Sequence, residues 1–158
     1  MILDIILQKK IKIESNDTGG NLLSKFQREY FDLIKQVLDS IKEKKLKLIV
    51  QKNDEATYFA KRTPADGIIN WDWQKERIRN WVRAQSIPYP GAFTHCNDIK
   101  IIIDEIIFSD LGYNSEQENG TVLSNKNGII VKCQNGAVFL KNVRNICSAQ
   151  IPIGSVLK

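Results

Sequence analysis

The sequence predicts an α+β protein in which a long helix precedes a small antiparallel β-barrel or meander. Two observations predict this class. Apolar residues in the N-terminal third recur at steps of three and four, as on one face of a helix. The C-terminal half carries short strand-like runs between Asn-Gly pairs at 119–120, 127–128 and 135–136, and Asn-Gly is the strongest short hairpin signal. We therefore expect a helical part followed by a sheet.

The N-terminal third is expected to hold one strand and one helix. Residues 2–13 are predicted to form a strand, since Ile-Lys-Ile at 11–13 alternates as a half-buried strand does. Residues 15–18 offer N-cap side chains, and the apolar stripe from residue 21 to about 44 predicts a long amphipathic helix. Its last turn is lysine-rich, which suits the negative end of the helix dipole. This helix is interpreted as a core element.

The rest of the chain is predicted to contain a second helix and several short strands. Residues 74–85 have the spacing of a helix, and Pro88 and Pro90 prevent it from continuing. The predicted strands are residues 46–51, 99–108, 120–123, 128–132 and 137–143. The tail, residues 151–157, is expected to close the sheet as its last strand.

Composition and charge narrow the class of protein without identifying a partner. The 158 residues carry a net charge of +5, which favours polyanions, and contain no apolar run long enough to span a membrane. The N-terminus lacks the features of a signal peptide. Cys96, Cys133 and Cys147 have no metal-ligand spacing, and an odd cysteine count without a secretion signal favours reduced thiols. We therefore expect a cytoplasmic protein with no membrane partner.

Residues 61–94 carry a long ordered motif. They read KRTPADGIINWDWQKERIRNWVRAQSIPYPGAFT. This run resembles the R-x-P-x-D-G-x-I-D-W … I/V-R-A … P-Y/W-P-G-A-F/T motif of the N10-formyltetrahydrofolate-dependent formyltransferases. That family includes methionyl-tRNA formyltransferase and the bacterial sugar-nucleotide N-formyltransferases. Residues 4–8, 11–13 and 17–18 and the long helix resemble the segment that closes the family's Rossmann-like catalytic domain.

The resemblance implies a division of the chain into two parts. Residues 1–72 correspond to the C-terminal remnant of the Rossmann-like formyltransferase domain, a strand plus the long helix. Residues 73–158 correspond to a linker helix and an OB-like C-terminal barrel, in agreement with the independent prediction of a small antiparallel sheet.

The resemblance carries over no catalytic residue. The family uses an Asn, a His and an Asp; its Asn-x-His segment would precede residue 1, and its Asp aligns with Met1. We therefore expect the chain alone to be inactive. His95, the one histidine, is expected to be a loop or strand-edge residue. Asp104 and Glu105 are interpreted as surface charges, because adjacent strand residues point to opposite faces.

The resemblance places the turn at residues 61–67 near the mouth between the family's two domains, where substrate enters. Arg62 could pair with a diphosphate through its planar guanidinium, with Lys61 beside it. Tyr58 or Trp71 could stack on a base or sugar ring. These four residues are the candidate substrate-binding residues. The alternatives stay open: Trp71 would fill the domain joint, and Lys61 and Arg62 would be ordinary turn residues.

Three further features concern the joint between the family's two domains. Residues 88–93 are expected to form a rigid corner into the barrel. Arg83 is expected to brace the joint by bonding backbone carbonyls or an acid. Asn70 departs from the family, which usually has Asp before that tryptophan.

The resemblance also implies a reaction and its partners. The complete enzyme would transfer the formyl group of N10-formyltetrahydrofolate to the amine of a nucleotide-linked amino sugar, with no cofactor bound to this chain alone. One alternative is a fragment of methionyl-tRNA formyltransferase whose C-terminal barrel binds tRNA, and another is a non-catalytic interaction module. The apolar helix stripe predicts either a missing N-terminal half or self-association.

Overall fold

The computed structural model describes residues 4–146 and 150–158, and its contacts divide the chain into two compact units. Unit 1 comprises residues 1–17 and 21–61, and unit 2 comprises Thr18–Gly20 and residues 62–158. The division therefore falls after residue 61. The domain boundary after residue 72 comes from the family's catalytic domain and stays a prediction.

Unit 1 is dominated by helix α1 (Gly19–Lys42), which confirms the predicted long helix to within two residues at each end. The apolar face of α1 does not pack onto a buried core within unit 1. None of the unit 1 residues whose exposure the structure describes is buried. The large apolar side chains of α1 that are exposed are Phe26, Tyr30, Phe31, Ile34, Leu38 and Ile41. The interpretation of α1 as a core element is therefore wrong for the described chain.

The strand predicted over residues 2–13 is absent from the described residues 4–13, and residues 2 and 3 lie outside the described range. A single antiparallel bridge joins Ile5 to Ile49, with backbone N–H···O distances of 2.8 and 2.9 Å in the two directions. The strand predicted over residues 46–51 is likewise reduced to this bridge. The physical reason is that a strand needs a ladder of partners, and neither segment has a further described strand beside it.

Unit 2 combines one helix with an antiparallel sheet. Helix α2 (Lys75–Gln85) matches the predicted second helix. The strands are β1 (Ala92–Cys96), β2 (Ile99–Ser109), β3 (Val122–Ser124), β4 (Ile129–Cys133) and β5 (Gly136–Arg144), in the spatial order β1-β2-β5-β4-β3. The four strands predicted after residue 95 are confirmed to within a few residues. Strand β1 was not predicted, because its residues follow the proline-rich corner directly.

The five strands form a half-barrel with β1 and β3 at its edges, and the C-terminal tail bridges these two edges. On the β1 edge, Lys158 and His95 exchange backbone hydrogen bonds of 2.6 and 2.8 Å. On the β3 edge, the Leu157 amide donates to the Gly120 carbonyl at 2.9 Å. The tail therefore satisfies edge groups that would otherwise face solvent, but it forms an isolated bridge between Val156 and Thr121 rather than the last strand that the sequence predicted.

The core of unit 2 lies between α2 and the inner face of the sheet. Ile78 and Val82 project from α2 and are buried. They form one cluster with residues of the sheet, the Trp71 segment and the tail: Trp71, Ile101, Ile103, Val122, Ile129, Val131, Val138, Leu140, Ile151 and Leu157. Burial of each large apolar side chain stabilises the fold by about 1.5–3 kcal/mol. No helix in the described part of the chain is long and apolar enough to cross a membrane.

Candidate functional site

A pocket of about 500 Å³ opens on unit 2 where the turn before residue 68, helix α2 and the turn at 88–91 meet. Most of its lining is apolar or aromatic. The lining residues are Arg62, Thr63, Pro64, Asp66, Trp81, Ala84, Gln85, Tyr89 and Pro90. Pockets of this size and character are typical of small-molecule sites.

The first wall of the pocket is a short 3₁₀ helix, Pro64–Gly67, that its own sequence fixes. Pro64 stands at the start, where its missing N–H costs nothing. The Asp66 carboxylate accepts hydrogen bonds from the Thr63 backbone N–H at 2.6 Å and the Thr63 hydroxyl at 2.9 Å. These bonds hold the pKa of Asp66 below its ordinary value. Asp66 is thus committed to the turn.

Arg62 lies at the rim of the pocket and stacks on an aromatic wall. Its guanidinium carbon is 5.4 Å from the centroid of the Trp81 ring. Trp81 is held by the edge of Trp73, with ring centroids 5.1 Å apart, and its indole N–H donates to the Gly67 carbonyl at 3.4 Å. Among the described residues no carboxylate forms an ion pair with Arg62. The rim therefore presents a cation that can meet an anionic group.

The second wall is the turn at residues 88–91, which carries Tyr89 and contains a cis Ile87–Pro88 bond. Arg144 of β5 holds this turn in place. Its Nη2 donates to the Pro90 carbonyl at 3.0 Å and to Asp104 Oδ1 at 2.8 Å. The turn is therefore tied to the sheet by a charge-assisted contact.

One sequence prediction about a charged residue needs correction here. Asp104 is no surface charge: its side chain is 13% exposed, and its Oδ2 lies 2.7 Å from Arg144 Nε. Arg144 also bonds a backbone carbonyl of the corner, that of Pro90, from which it is 54 residues away in sequence. Arg83 donates to the Asn80 side chain at 2.9 Å, and its role as a brace of the joint stays a prediction. Glu105 does face solvent, where it pairs with Lys141 at 2.7 Å.

The four predicted substrate-binding residues occupy different surroundings. Arg62 lines the pocket. Trp71 is 4% exposed, and its indole N–H donates to the Thr94 hydroxyl at 3.0 Å, which favours the packing alternative. Tyr58 and Lys61 belong to unit 1, where both are exposed. Two aromatic residues of the lining, Trp81 and Tyr89, were not predicted as site residues. Helical spacing made Trp81 a packing residue, and Tyr89 belonged to the predicted rigid corner.

His95 has the surroundings expected of a strand-edge residue. It lies half-buried on β1, and its backbone is paired with the tail. Its ring packs edge-to-face with Phe93, with the ring centroids 5.3 Å apart. Cys96 and Cys133 are buried free thiols, and burial raises the pKa of Cys133, so that thiol is kept unreactive. Cys147 lies outside the described residues. Within the described ranges, no three His, Cys, Asp or Glu side chains form a metal-binding group.

Comparison with known proteins agrees with this helix-capped half-barrel. Residues 61–158 match the family described as formyl transferase, C-terminal domain. The bifunctional polymyxin resistance protein ArnA of Wigglesworthia glossinidia brevipalpis is 36% identical over 130 residues, which cover 82% of this chain and 19% of that protein. The chain thus belongs to the formyltransferase family through its C-terminal domain.

Two solved structures share the fold at lower sequence identity. A variant of HypX from Aquifex aeolicus aligns with a TM-score of 0.55 and 16% identity, over 76% of this chain and 22% of that one. HypX from the same organism in complex with tetrahydrofolic acid also gives 0.55 and 16% identity, over 75% and 22%. Like ArnA, these proteins are several times longer than the part that this chain matches.

Proposed function

We propose that this chain is the C-terminal portion of a formyltransferase that transfers formyl from N10-formyltetrahydrofolate to the amine of a nucleotide-linked amino sugar. The observation that carries the proposal is the family match over residues 61–158 together with the likeness to ArnA over 82% of the chain. The wording around Trp71, Trp73 and residues 83–94 resembles the sugar enzymes more than the tRNA enzyme, which favours a nucleotide sugar as acceptor.

The chain's own residues are proposed to bind and position rather than to catalyse. Attack of an amine on a formyl group needs a base for the amine proton and a donor for the developing oxyanion. His95 is proposed to take neither role, since it lies half-buried on β1 with its ring packed against Phe93. The catalytic Asn, His and Asp of the family are therefore proposed to come from a formyl-transfer domain outside these 158 residues.

The partner of unit 1 is proposed to be the apolar sheet of that formyl-transfer domain. The α1 stripe leaves large apolar side chains in solvent, with Phe26 and Leu38 each 52% exposed and Tyr30 50% exposed. Exposed apolar surface of this kind marks an interaction site or causes association. In the absence of the formyl-transfer domain the same surface is proposed to drive self-association.

Reconstitution tests the proposed function. The chain is mixed with, and separately fused to, a family formyl-transfer domain that carries the Asn, His and Asp. Formyl transfer from N10-formyltetrahydrofolate is then measured with nucleotide-linked 3- and 4-amino sugars and with methionyl-tRNA. We expect formylated sugar from the combined protein and from neither part alone. Transfer to methionyl-tRNA only would support the tRNA alternative, and a stable complex without transfer would support the interaction module.

A further inference from the structure

We propose that the pocket between Arg62, Trp81 and Tyr89 binds a flat heteroaromatic ring that carries an anionic group. The resemblance points to the turn that carries Arg62, whereas the aromatic side chains Trp81 and Tyr89 are joined to it by the structure alone. The inference deepens the proposed function and rests on it for the choice of ligands, because two reactants of that reaction have this chemistry. A nucleotide carries a base and phosphates, and a tetrahydrofolate carries a reduced pterin, whose pyrimidine half stays flat, and a glutamate tail with carboxylates.

The ring is recognised by the aromatic walls. Trp81 is fixed by its edge contact with Trp73 and by its hydrogen bond to Gly67, so its position is set before a ligand arrives. Tyr89 is 42% exposed at the pocket, and its turn is held by the Arg144 hydrogen bond to Pro90. Pre-positioned aromatic walls lose little conformational freedom on binding, which favours a flat, polarizable ligand.

The anionic group is recognised by Arg62. Its guanidinium forms no ion pair with the described residues; Asp66, whose Oδ2 accepts two hydrogen bonds from Thr63, attracts Arg62 only beyond ion-pair distance. A guanidinium presents a planar fork of donors that matches phosphate and carboxylate oxygens. Arg62 stacks on Trp81, so the cation and the aromatic ring lie next to each other. One ligand that carries both a ring and an anionic group can therefore contact both.

Gln85 adds polar contacts deeper in the lining. Its side-chain amide nitrogen makes one long hydrogen bond, 3.4 Å, to the Trp81 carbonyl. An amide offers both donors and acceptors, as ring nitrogens and carbonyls of a base or pterin need. The remaining lining of Pro64, Ala84 and Pro90 is apolar, so ligands without a ring gain little from the pocket.

Indole ¹⁵N–¹H NMR of the whole chain tests the inference. The probes are uridine monophosphate and 5-formyltetrahydrofolate. Uridine, which has the ring without the anion, and ribose 5-phosphate, which has the anion without the ring, are the matched controls. We expect at least one probe to shift the Trp81 resonance saturably and to leave the resonance of buried Trp71 in place. The probe that binds identifies the source, nucleotide or folate. If neither probe moves Trp81, the inference is overturned.

The substitution Arg62→Gln gives the second readout, with Arg77→Gln as its matched control. Arg77 also stacks on a tryptophan, 4.2 Å from the Trp73 ring, but does not line the pocket. We expect R62Q to raise the Kd of the probe that binds roughly tenfold or more, because a charge-assisted contact is lost. R77Q should leave that Kd unchanged. Equal weakening by both would show non-specific attraction to positive charge and would contradict the proposal.

The same variants separate this inference from the proposed function. In the reconstituted enzyme, formyl transfer at the wild-type rate by R62Q at limiting acceptor and donor would overturn the pocket while leaving the function intact. Probe binding that is lost in R62Q, combined with no formyl transfer by any reconstituted protein, would count against the function and leave the pocket standing.

Discussion

The turn at residues 88–91 owes its position to Arg144, and Gly91 is the residue that lets the arginine approach. Gly91 has φ +94°, and a Cβ there would lie 2.4 Å from Arg144 Nη2 and 2.5 Å from Ile102 Cγ2. Any larger residue therefore faces both backbone strain and a clash with the ion pair.

Gly91→Ala should lower the free energy of unfolding by about 2–4 kcal/mol, measured by urea denaturation. The control is Gly154→Ala, where φ is +86° but a Cβ would meet no atom within 4 Å. That control isolates the backbone strain, about 1–2 kcal/mol. Equal losses for the two variants would show that the approach of Arg144 adds nothing.

The lowered pKa of Asp66 predicts that the stability of the fold depends on pH. Its pKa is lowered, by the backbone hydrogen bond from Thr63 first and by the hydroxyl second. A group with a lowered pKa in the folded state stabilises the fold above its unfolded pKa, about 3.9, and that stabilisation is lost as pH falls through the folded value. Asp66→Asn should therefore lower Tm at neutral pH, with the difference from wild type shrinking below about pH 4. A Tm difference that stays constant down to about pH 2 would contradict the claim that the ionised Asp66 carboxylate stabilises the fold.

At the residue scale the sequence singled out Arg62 as a candidate but did not predict its surroundings. Arg62 stood out because its motif combines a cation with Pro64 and Gly67 in one turn. Trp81 and Tyr89 are joined to it only by the packing of α2 against the following turn. Arg144 was unpredictable as a brace, because a contact across 54 residues depends on the register of β5 and β2.

At the scale of elements, helix α1 shows what periodicity can predict. The three- and four-residue steps predicted the helix and its apolar face correctly. They could not say what covers that face, because the covering surface belongs to another segment. Strand β1 was missed for a related reason: its partners, β2 and Lys158, are set by the fold rather than by its own five residues.

The exposed α1 stripe predicts self-association of the isolated chain. Leu38→Glu should shift the sedimentation profile toward monomer, since it places a charge within the apolar stripe. Gln36→Glu adds the same charge to an exposed position of α1 outside the stripe and should leave the profile unchanged. A wild-type chain that sediments as a clean monomer and melts cooperatively would contradict the prediction.

At the scale of the whole molecule the two units should differ in stability. Unit 2 contains the buried cluster and the hydrogen-bonded sheet, whereas the described residues of unit 1 include none that is buried. Hydrogen exchange of the intact chain at low protein concentration should therefore show slow amides in β2 and β5 and fast amides in α1 from Asn21 onward. Comparable protection in both units would mean that α1 has a stabilising partner in the isolated chain.

The class of the whole molecule was the part that the sequence predicted best. A motif of more than thirty residues with fixed prolines, glycines and tryptophans is specific, and the family match over residues 61–158 confirms it. The acceptor is a finer property, since it depends on a few contacts of a site that this chain is proposed to share with a formyl-transfer domain. It therefore remains a proposal that chemistry must test.

The most direct measurement is formyl transfer by the chain fused to a family formyl-transfer domain, with the product identified by its intact mass. We predict formylation of a nucleotide-linked amino sugar that requires N10-formyltetrahydrofolate and the presence of both parts. Formylation of methionyl-tRNA alone, or no formylation of any acceptor by a folded fusion, would contradict the proposed function.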